Sequence, residues 1–178
     1  MSTTASPLAG TFAADPVHSN FAFAVRYQGV SLFKGTLDAV EATLTDGKLV
    51  GKAQIESISI RTPEQFRAHV LGGEDFFQAD KFPEVTFVST GFDVKSDNTV
   101  EVTGDLTIKG ITKPVTAKGT WVAPAPDAFG NTRAHLNLET VIDRTAWGLT
   151  WNAPLPSGGK ALANEVTLTI ELALVEQA

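Results

Sequence analysis

The chain has 178 residues, a formal net charge of −6 and a hydrophobic fraction of 43%, which suits one domain with a substantial core. A mildly acidic chain without a Lys/Arg cluster argues against a nucleic-acid partner, whose phosphates require a basic surface. It also argues against docking on anionic lipid headgroups. The sequence contains no cysteine, which excludes disulfides and thiolate metal ligands and fits a cytoplasmic location.

The first ten residues, MSTTASPLAG, are small and mostly uncharged. They predict a flexible tail over residues 1–10, followed by a single domain over residues 11–178. They have no basic residue and no long apolar run, so they do not resemble a secretory signal. No apolar stretch approaches the ~18 residues of a membrane-spanning helix. We therefore expect a cytoplasmic protein without stable membrane insertion.

Most of the chain alternates apolar and polar side chains, a period of two that predicts half-buried β-strands. The alternation is clearest in one segment, where Val100, Val102, Leu106 and Ile108 share a face. A change of phase near Ser57 predicts a β-bulge. Eight strands are predicted, over residues 20–28, 35–45, 48–60, 84–95, 99–109, 113–122, 133–142 and 165–175.

One segment, residues 62–77, breaks the period of two and predicts a helix. Thr62 is the expected N-cap and Pro63 the expected first helical residue, while Gly72-Gly73 ends the helix. A second short turn over residues 74–79 carries two phenylalanines.

Eight amphipathic strands with a short helical insert after the third predict an all-β, closed antiparallel barrel, with an open sandwich as the alternative. The outward faces are polar, so the barrel should be soluble with its apolar faces inside. A barrel of eight strands is either filled by its own side chains or holds one small ligand. The spacing of apolar residues leaves both possibilities open.

Several separated motifs carry a family resemblance. They are DPVHS at 15–19, SIRT at 59–62, FPEVTF at 82–87, VTGDLTIKGITKPV at 102–115 and DRTAWG at 143–148. In this order they resemble the YceI-like family, the polyisoprenoid-binding, lipocalin-like proteins, over about residues 11–176. The resemblance implies an eight-stranded lipocalin-like barrel that carries a long-chain isoprenoid, quinone-like or fatty amide lipid and is not an enzyme. Many relatives are periplasmic, whereas this N-terminus lacks a signal.

The predicted ligand-binding residues lie on the inward strand faces, on the helical insert and near the DRTAWG motif. They are Phe21, Phe23, Val25, Phe33, Phe66, His69, Val70, Phe76, Phe77, Phe87, Val102, Leu106, Ile108, Trp121, Leu138, Arg144, Trp147, Leu168 and Ile170.

Two polar members of this set have alternative roles. His69 could contact a lipid head group or bond within the helix. Arg144 could offer a planar donor fork to a head group, although pairing with Asp75, Asp143 or Glu165 is favoured. His18 is expected to hold the N-terminal turn, and His135 to face solvent. No histidine pair has metal-ligand spacing, so no metal site is predicted.

The predicted function is binding, transport or storage of an amphiphilic lipid, such as a polyisoprenoid or isoprenoid quinone, inside the barrel. No cofactor is required and no catalytic residue is assigned, because the sequence has no cysteine, nucleophile elbow or phosphate-binding loop. A homodimer is possible. The alternatives are a packed barrel acting through its surface in interactions or stress responses, and a lipid-modifying enzyme.

Overall fold

The computed structural model describes residues 8–178 and folds them into ten strands, one α-helix and two short 3-10 helices. The 3-10 helices span Ile55–Ser57 and Arg144–Trp147. The other elements are β1 (Thr11–Ala14), β2 (Asn20–Tyr27), β3 (Ser31–Leu37), β4 (Val40–Thr45), β5 (Lys48–Gln54), α1 (Glu64–Gly72), β6 (Glu84–Val94), β7 (Thr99–Ile108), β8 (Ile111–Pro126), β9 (Thr132–Asp143) and β10 (Leu162–Glu176).

The strands form one antiparallel sheet in the order β1-β4-β5-β6-β7-β8-β9-β10-β2-β3, and β1 also pairs with β10. β1 and β2 together form one strand of the barrel, because both pair with β10. β3 and β4 together form the next strand, since β3 pairs with β2 and β4 with β1. With each of these two pairs counted as one strand, the sheet is a closed eight-stranded barrel, as the sequence predicted. Closure removes most of the exposed strand edges that a sheet of this length would otherwise present.

Strand boundaries differ from the sequence prediction in several places; β8 and β10, for example, extend beyond the predicted 113–122 and 165–175. β1 was missed, because four residues are too few to show an alternation. The strand predicted over 35–45 begins at Ser31 and is interrupted between Leu37 and Val40. The strand predicted over 48–60 ends at Gln54, and the expected bulge near Ser57 is a 3-10 helix.

The inward face predicted from the period of two is confirmed in β7. Val100, Val102, Leu106 and Ile108 are all buried. The barrel interior nevertheless divides into two apolar clusters. One cluster fills the end closed by β1, where Phe12, Leu44, Trp121, Leu136 and Leu174 are among the most completely buried side chains. We call this the packed end.

The helical insert covers the opposite end of the barrel. α1 is shorter than predicted, and Pro63 rather than Thr62 is its N-cap, without a side-chain capping hydrogen bond. Arg67 fastens the helix to the chain that follows β5, because its guanidinium donates to the carbonyls of Glu56, Ile58 and Ile60. Within the described residues, none of the helices has the length and apolar character needed to cross a bilayer.

Most of the predicted N-terminal tail, residues 1–7, lies outside the described residues. Leu8, the first described residue, is buried in the packed end. Gly10 follows, and its backbone N–H donates to the carboxylate of Asp46 in the β4–β5 turn. Residues 8–10 therefore belong structurally to the barrel.

Candidate functional site

Beneath α1 the barrel encloses a cavity of about 530 Å³. We call this half of the barrel the hollow end. Arg144 is the one charged residue among those lining the cavity, and Tyr27 supplies a phenol. The lining comprises Phe21, Phe23, Val25, Tyr27, Phe33, Leu37, Ile58, Ile60, Phe66, Val70, Phe76, Phe77, Val85, Ile108, Ile142, Arg144, Leu149, Trp151, Leu162, Val166 and Leu168.

A smaller space of about 80 Å³ lies next to the cavity, toward the packed end. Phe21, Val85 and Leu168 border both spaces. Its other apolar walls include Leu138 and Leu172, which also belong to the core of the packed end. The two spaces together offer a deep, apolar volume along the barrel axis.

Two glycines allow aromatic rings to lie against the barrel wall. Phe23 is paired across β2 and β3 with Gly35, and a Cβ at that position would collide with its ring. Gly104 on β7 plays the same part for Phe87 on β6. Neither glycine carries a side chain, so each ring lies directly against the backbone of the facing strand, in the space that a Cβ would fill.

The helical insert is fastened to the loop before β10. The main-chain carbonyl of Asp75 accepts hydrogen bonds from the backbone N–H groups of Thr150 and Trp151, at 2.9 and 3.1 Å. The ring of Phe76 stacks on Trp151, with centroids 5.7 Å apart. Lys109 also donates to the carbonyls of Glu74 and Gly148. These contacts hold the insert and the loop together over the cavity.

The β2–β3 hairpin forms the other side of the opening. One edge of β3 pairs with β2, and its other edge pairs with no further strand of the described sheet. Near its end, the strand is joined to the chain after β5 by a bridge between Leu37 and Ile58. Closer to the hairpin turn, the gap to α1 is spanned by an edge-on contact between the rings of Phe33 and Phe66, with centroids 6.4 Å apart.

Arg144 is buried, but it does not form the ion pair that the sequence favoured. Its guanidinium donates to the carbonyls of Leu149, Leu162 and Ala163, at 2.6, 3.3 and 2.9 Å. Asp143 instead accepts from the backbone and hydroxyl of Thr145. Burial lowers the pKa of Arg144, with the charge of Asp143 opposing that effect. A guanidinium has five N–H groups, so two remain beyond these three bonds.

A model of the YceI-like domain matches residues 12–174. The chain belongs to the YceI-like family.

Curated YceI-like relatives include a UPF0312 protein of Pseudomonas putida (strain W619), 30% identical over 137 residues, which are 74% of this chain and 71% of that protein. Among solved structures, Burkholderia cenocepacia BcnA superposes with a TM-score of 0.67 at 20% identity, over 92% of this chain and 99% of BcnA. A polyisoprenoid-binding domain from Saccharophagus degradans, implicated in plant cell wall breakdown, also gives 0.67, at 11% identity over 95% of this chain and 99% of that domain. Both structures share the YceI-like fold.

The structure brings most of the predicted ligand-binding residues of this YceI-like barrel to the two cavities. Phe87, Leu106, Leu138 and Ile170 line the smaller space. Those that line the larger cavity are Phe21, Phe23, Val25, Phe33, Phe66, Val70, Phe76, Phe77, Ile108, Arg144 and Leu168.

Four of the predicted residues lie elsewhere. Val102 and Trp121 are buried within the packed end, because the inward face of a strand continues past the cavity into the solid core. Trp147 is buried behind the cavity wall and donates its indole N–H to the carbonyl of Leu106. His69 is on the outer side of the insert, 3.0 Å from the carboxylate of Asp75.

Sequence reasoning missed ten of the residues that line the larger cavity. Tyr27, Ile142 and Val166 lie on strand faces whose inward parity was available from the sequence. Ile58 and Ile60 follow a 3-10 helix that disrupts the period of two, so no alternation pointed to them. The missed residues are Tyr27, Leu37, Ile58, Ile60, Val85, Ile142, Leu149, Trp151, Leu162 and Val166.

A polar network lies at the packed end, away from the cavity. Arg133 bonds to the carboxylates of Asp15 and Asp127, at 2.9 and 2.6 Å. His18 also contacts Asp15, at 2.7 Å. Hydrogen bonds from His18 and then Arg133 lower the pKa of Asp15, and Arg133 lowers the pKa of Asp127 to about 2. The described residues contain no cluster of three or more potential metal ligands, and His135 is exposed.

Proposed function

We propose that this chain binds and carries a single amphiphilic lipid, with its apolar tail in the hollow end of the barrel. The observation that carries the proposal is the cavity of about 530 Å³, whose lining combines aliphatic and aromatic side chains with one guanidinium. This volume falls within the roughly 300–1,000 Å³ typical of small-molecule sites. The polyisoprenoid-binding domain of the same fold supports the choice of an isoprenoid tail.

Burial of the tail supplies the free energy of binding. Each buried methylene contributes about 0.8 kcal/mol, so a five-carbon isoprenoid unit contributes roughly 4 kcal/mol. Ordering a flexible chain opposes this by about 0.5–1.5 kcal/mol for each immobilised group of rotatable bonds. Association itself costs at least about 4 kcal/mol, so about four buried units are needed to approach micromolar affinity, which corresponds to about −8 kcal/mol. Selectivity for tail length should be loose, because one methylene discriminates weakly.

Arg144 gives the ligand an orientation. Its guanidinium lines the cavity, held by three main-chain carbonyls near the beginning of β10. A carbonyl or similar acceptor on the lipid would meet the remaining N–H groups, because planar guanidinium donors suit such oxygens. The far end of the tail would then extend toward Leu138 and Leu172 in the smaller space.

Binding fits this lining better than catalysis does. A general acid or base must reach the reacting atoms, and the usual groups are imidazole, carboxylate, amine or phenol. The larger cavity is bordered by one phenol, that of Tyr27, which is partly exposed at the rim. We accordingly propose a carrier without a required cofactor. The cytoplasmic location, a homodimer and the absence of a nucleic-acid partner stay predictions of the sequence.

Native mass spectrometry tests the proposal directly. Protein purified from a bacterial host should carry an adduct with the mass of a prenyl lipid, a quinone or another long-chain lipid. Trp151 supplies a second readout, because it borders the cavity and stacks on Phe76. Its fluorescence should change on titration with farnesol or decylubiquinone, and Trp151→Phe should remove that change. A chain that stays empty after incubation with prenyl lipids, quinones and fatty amides contradicts the proposal.

A further inference from the structure

Exposed apolar side chains surround the opening of the hollow end. The tip of the β2–β3 hairpin, residues 27–32, presents Tyr27, Val30 and Leu32, which are 40%, 83% and 45% exposed. Phe66 on α1, across the gap from β3, is 40% exposed. Apolar side chains grouped at one site on a surface mark a place of contact with a partner or a membrane.

This apolar surface continues into the cavity. Tyr27 and Phe66 are exposed at the rim and also line the cavity. Phe33, which also lines the cavity, contacts both Phe23 and Phe66. A lipid tail passing between the hairpin tip and α1 would therefore meet apolar side chains throughout its path.

Although the chain as a whole is acidic, three cations flank the hairpin tip. Arg26 lies directly opposite Leu32 in the ladder, and Lys34 follows on the same outward face. Lys160 borders a shallow groove together with Arg26 and Gly29 at the turn. Among the described residues, none of the three cations has a carboxylate within ion-pair distance; the carboxylate of Glu165 borders the same groove. Each Lys or Arg at an anionic bilayer surface adds to the attraction.

A comparison with the packed end shows that the charges beside the exposed apolar side chains differ between the two ends. The packed end too has exposed apolar side chains, Val17 and Phe129. Their neighbours in sequence are Asp15 and Asp127, two carboxylates that share Arg133. Two carboxylates around one arginine leave that cation paired, so an anionic bilayer has less to attract it at the packed end than beside the hairpin tip.

We propose that the hairpin tip docks on the surface of a bilayer containing anionic lipid, and that the bound lipid passes between membrane and cavity at this point. The inference rests on the proposed function, because only a chain with a lipid cargo needs this exchange. Docking is peripheral: Val30 and Leu32 enter the headgroup region while Arg26, Lys34 and Lys160 contact the phosphates.

Vesicle co-sedimentation tests the docking surface. The intact chain should sediment with vesicles of phosphatidylcholine and phosphatidylglycerol at low salt, and much less with phosphatidylcholine alone or at high salt. The double variant Val30→Asp/Leu32→Asp should bind at least about tenfold more weakly, equivalent to about 1.4 kcal/mol. Val30→Asp alone should also weaken binding. Phe129→Asp is its matched control, since it adds the same single charge at an equally exposed apolar site of the packed end; its binding should be unchanged.

A second variant guards against a folding defect in the first. Arg26→Gln/Lys34→Gln/Lys160→Gln alters exposed side chains only and should reduce both binding to phosphatidylglycerol vesicles and its dependence on salt. Wild-type binding by both hairpin variants, or an equal loss in Phe129→Asp, overturns the docking surface. A chain that holds a lipid in native mass spectrometry but binds no vesicle overturns docking and leaves the proposed function standing. A chain that binds vesicles but never holds a lipid overturns the proposed function instead.

Discussion

The two ends of this barrel are built from the same strands but differ in what fills them. On β7, Val100 and Val102 belong to the packed end, while Leu106 and Ile108, four to eight residues later, border the hollow end. At the packed end, β1 completes the ring between β4 and β10. At the hollow end, β3 is an edge and a helix replaces the missing ladder. Closure by a strand gives a solid core, whereas closure by an insert leaves space.

Truncation of a leucine should show the largest difference between the ends. Leu136→Ala removes a fully buried side chain from the packed end and should lower the free energy of unfolding by about 3–5 kcal/mol. Leu168→Ala lies on the neighbouring strand but already borders both cavities, so about 2 kcal/mol is expected. Urea denaturation measures both values, and equal losses would show that the hollow end is as tightly packed as the other.

The second-largest loss of unfolding free energy is expected when Arg144, at the hollow end, is replaced. Arg144→Met leaves three main-chain carbonyls without their guanidinium donor, and we expect a loss of about 2–4 kcal/mol in urea denaturation. Arg61→Met is a suitable control, because Arg61 is exposed and makes a surface ion pair with Asp38 that contributes little. If both variants unfold at the same urea concentration, the buried guanidinium does not stabilise the loop before β10.

Filling the cavity should affect binding more than stability. Ile142→Trp places a large ring inside the hollow end and should weaken binding of decylubiquinone at least about tenfold, or about 1.4 kcal/mol. Val141→Trp, on the same strand but 59% exposed on the outer face, should bind normally. Titration followed by native mass spectrometry distinguishes them, and a stronger effect of the outer substitution would reverse the assignment of inner and outer faces.

The smallest expected effect is the dependence of the packed end on pH. Asp15 and Asp127 have folded pKa values below the unfolded value of 3.8, at about 2 for Asp127. Their stabilising effect is therefore present above about pH 4 and is lost as the pH falls toward 2. Asp127→Asn should reduce the change in the urea midpoint between about pH 5 and pH 2. An identical pH profile in wild type and Asp127→Asn contradicts this role for the network.

Periodicity predicted the walls of the barrel but not the position of its empty space. The rows of alternating residues in β7 and β9 establish which side chains face inward, and this is why the barrel and most lining residues were predictable. The same rows run through both ends, so Val102 and Trp121 resembled Leu106 in the sequence although only Leu106 borders a cavity. Whether a side chain meets a space or a neighbour depends on packing across the barrel, which local patterns do not encode.

The contacts of Arg144 were unpredictable for a related reason. Its partners are carbonyl oxygens of Leu149, Leu162 and Ala163, and every residue has a carbonyl. A sequence therefore offers acidic side chains as visible partners, such as Asp143, while main-chain acceptors become apparent only once the loop is folded. The presence of a helix in the insert and its end at Gly72-Gly73 were predicted correctly. Its N-cap was not, because Pro63 rather than Thr62 occupies that position.

We expect the free edge of β3 to limit the rate of lipid exchange. Because the insert and the loop before β10 are joined by main-chain hydrogen bonds through Asp75, they are expected to move as one body and to open slowly. The base of β3 is fixed to the chain after β5, where the N–H of Ser59 donates to the carbonyl of Thr36. Nearer the hairpin turn, the contact with α1 is between the rings of Phe33 and Phe66. Separating two rings breaks no backbone hydrogen bond, so the residence time of the lipid should depend on that contact. Phe66→Ala should shorten the residence time more than it weakens equilibrium affinity.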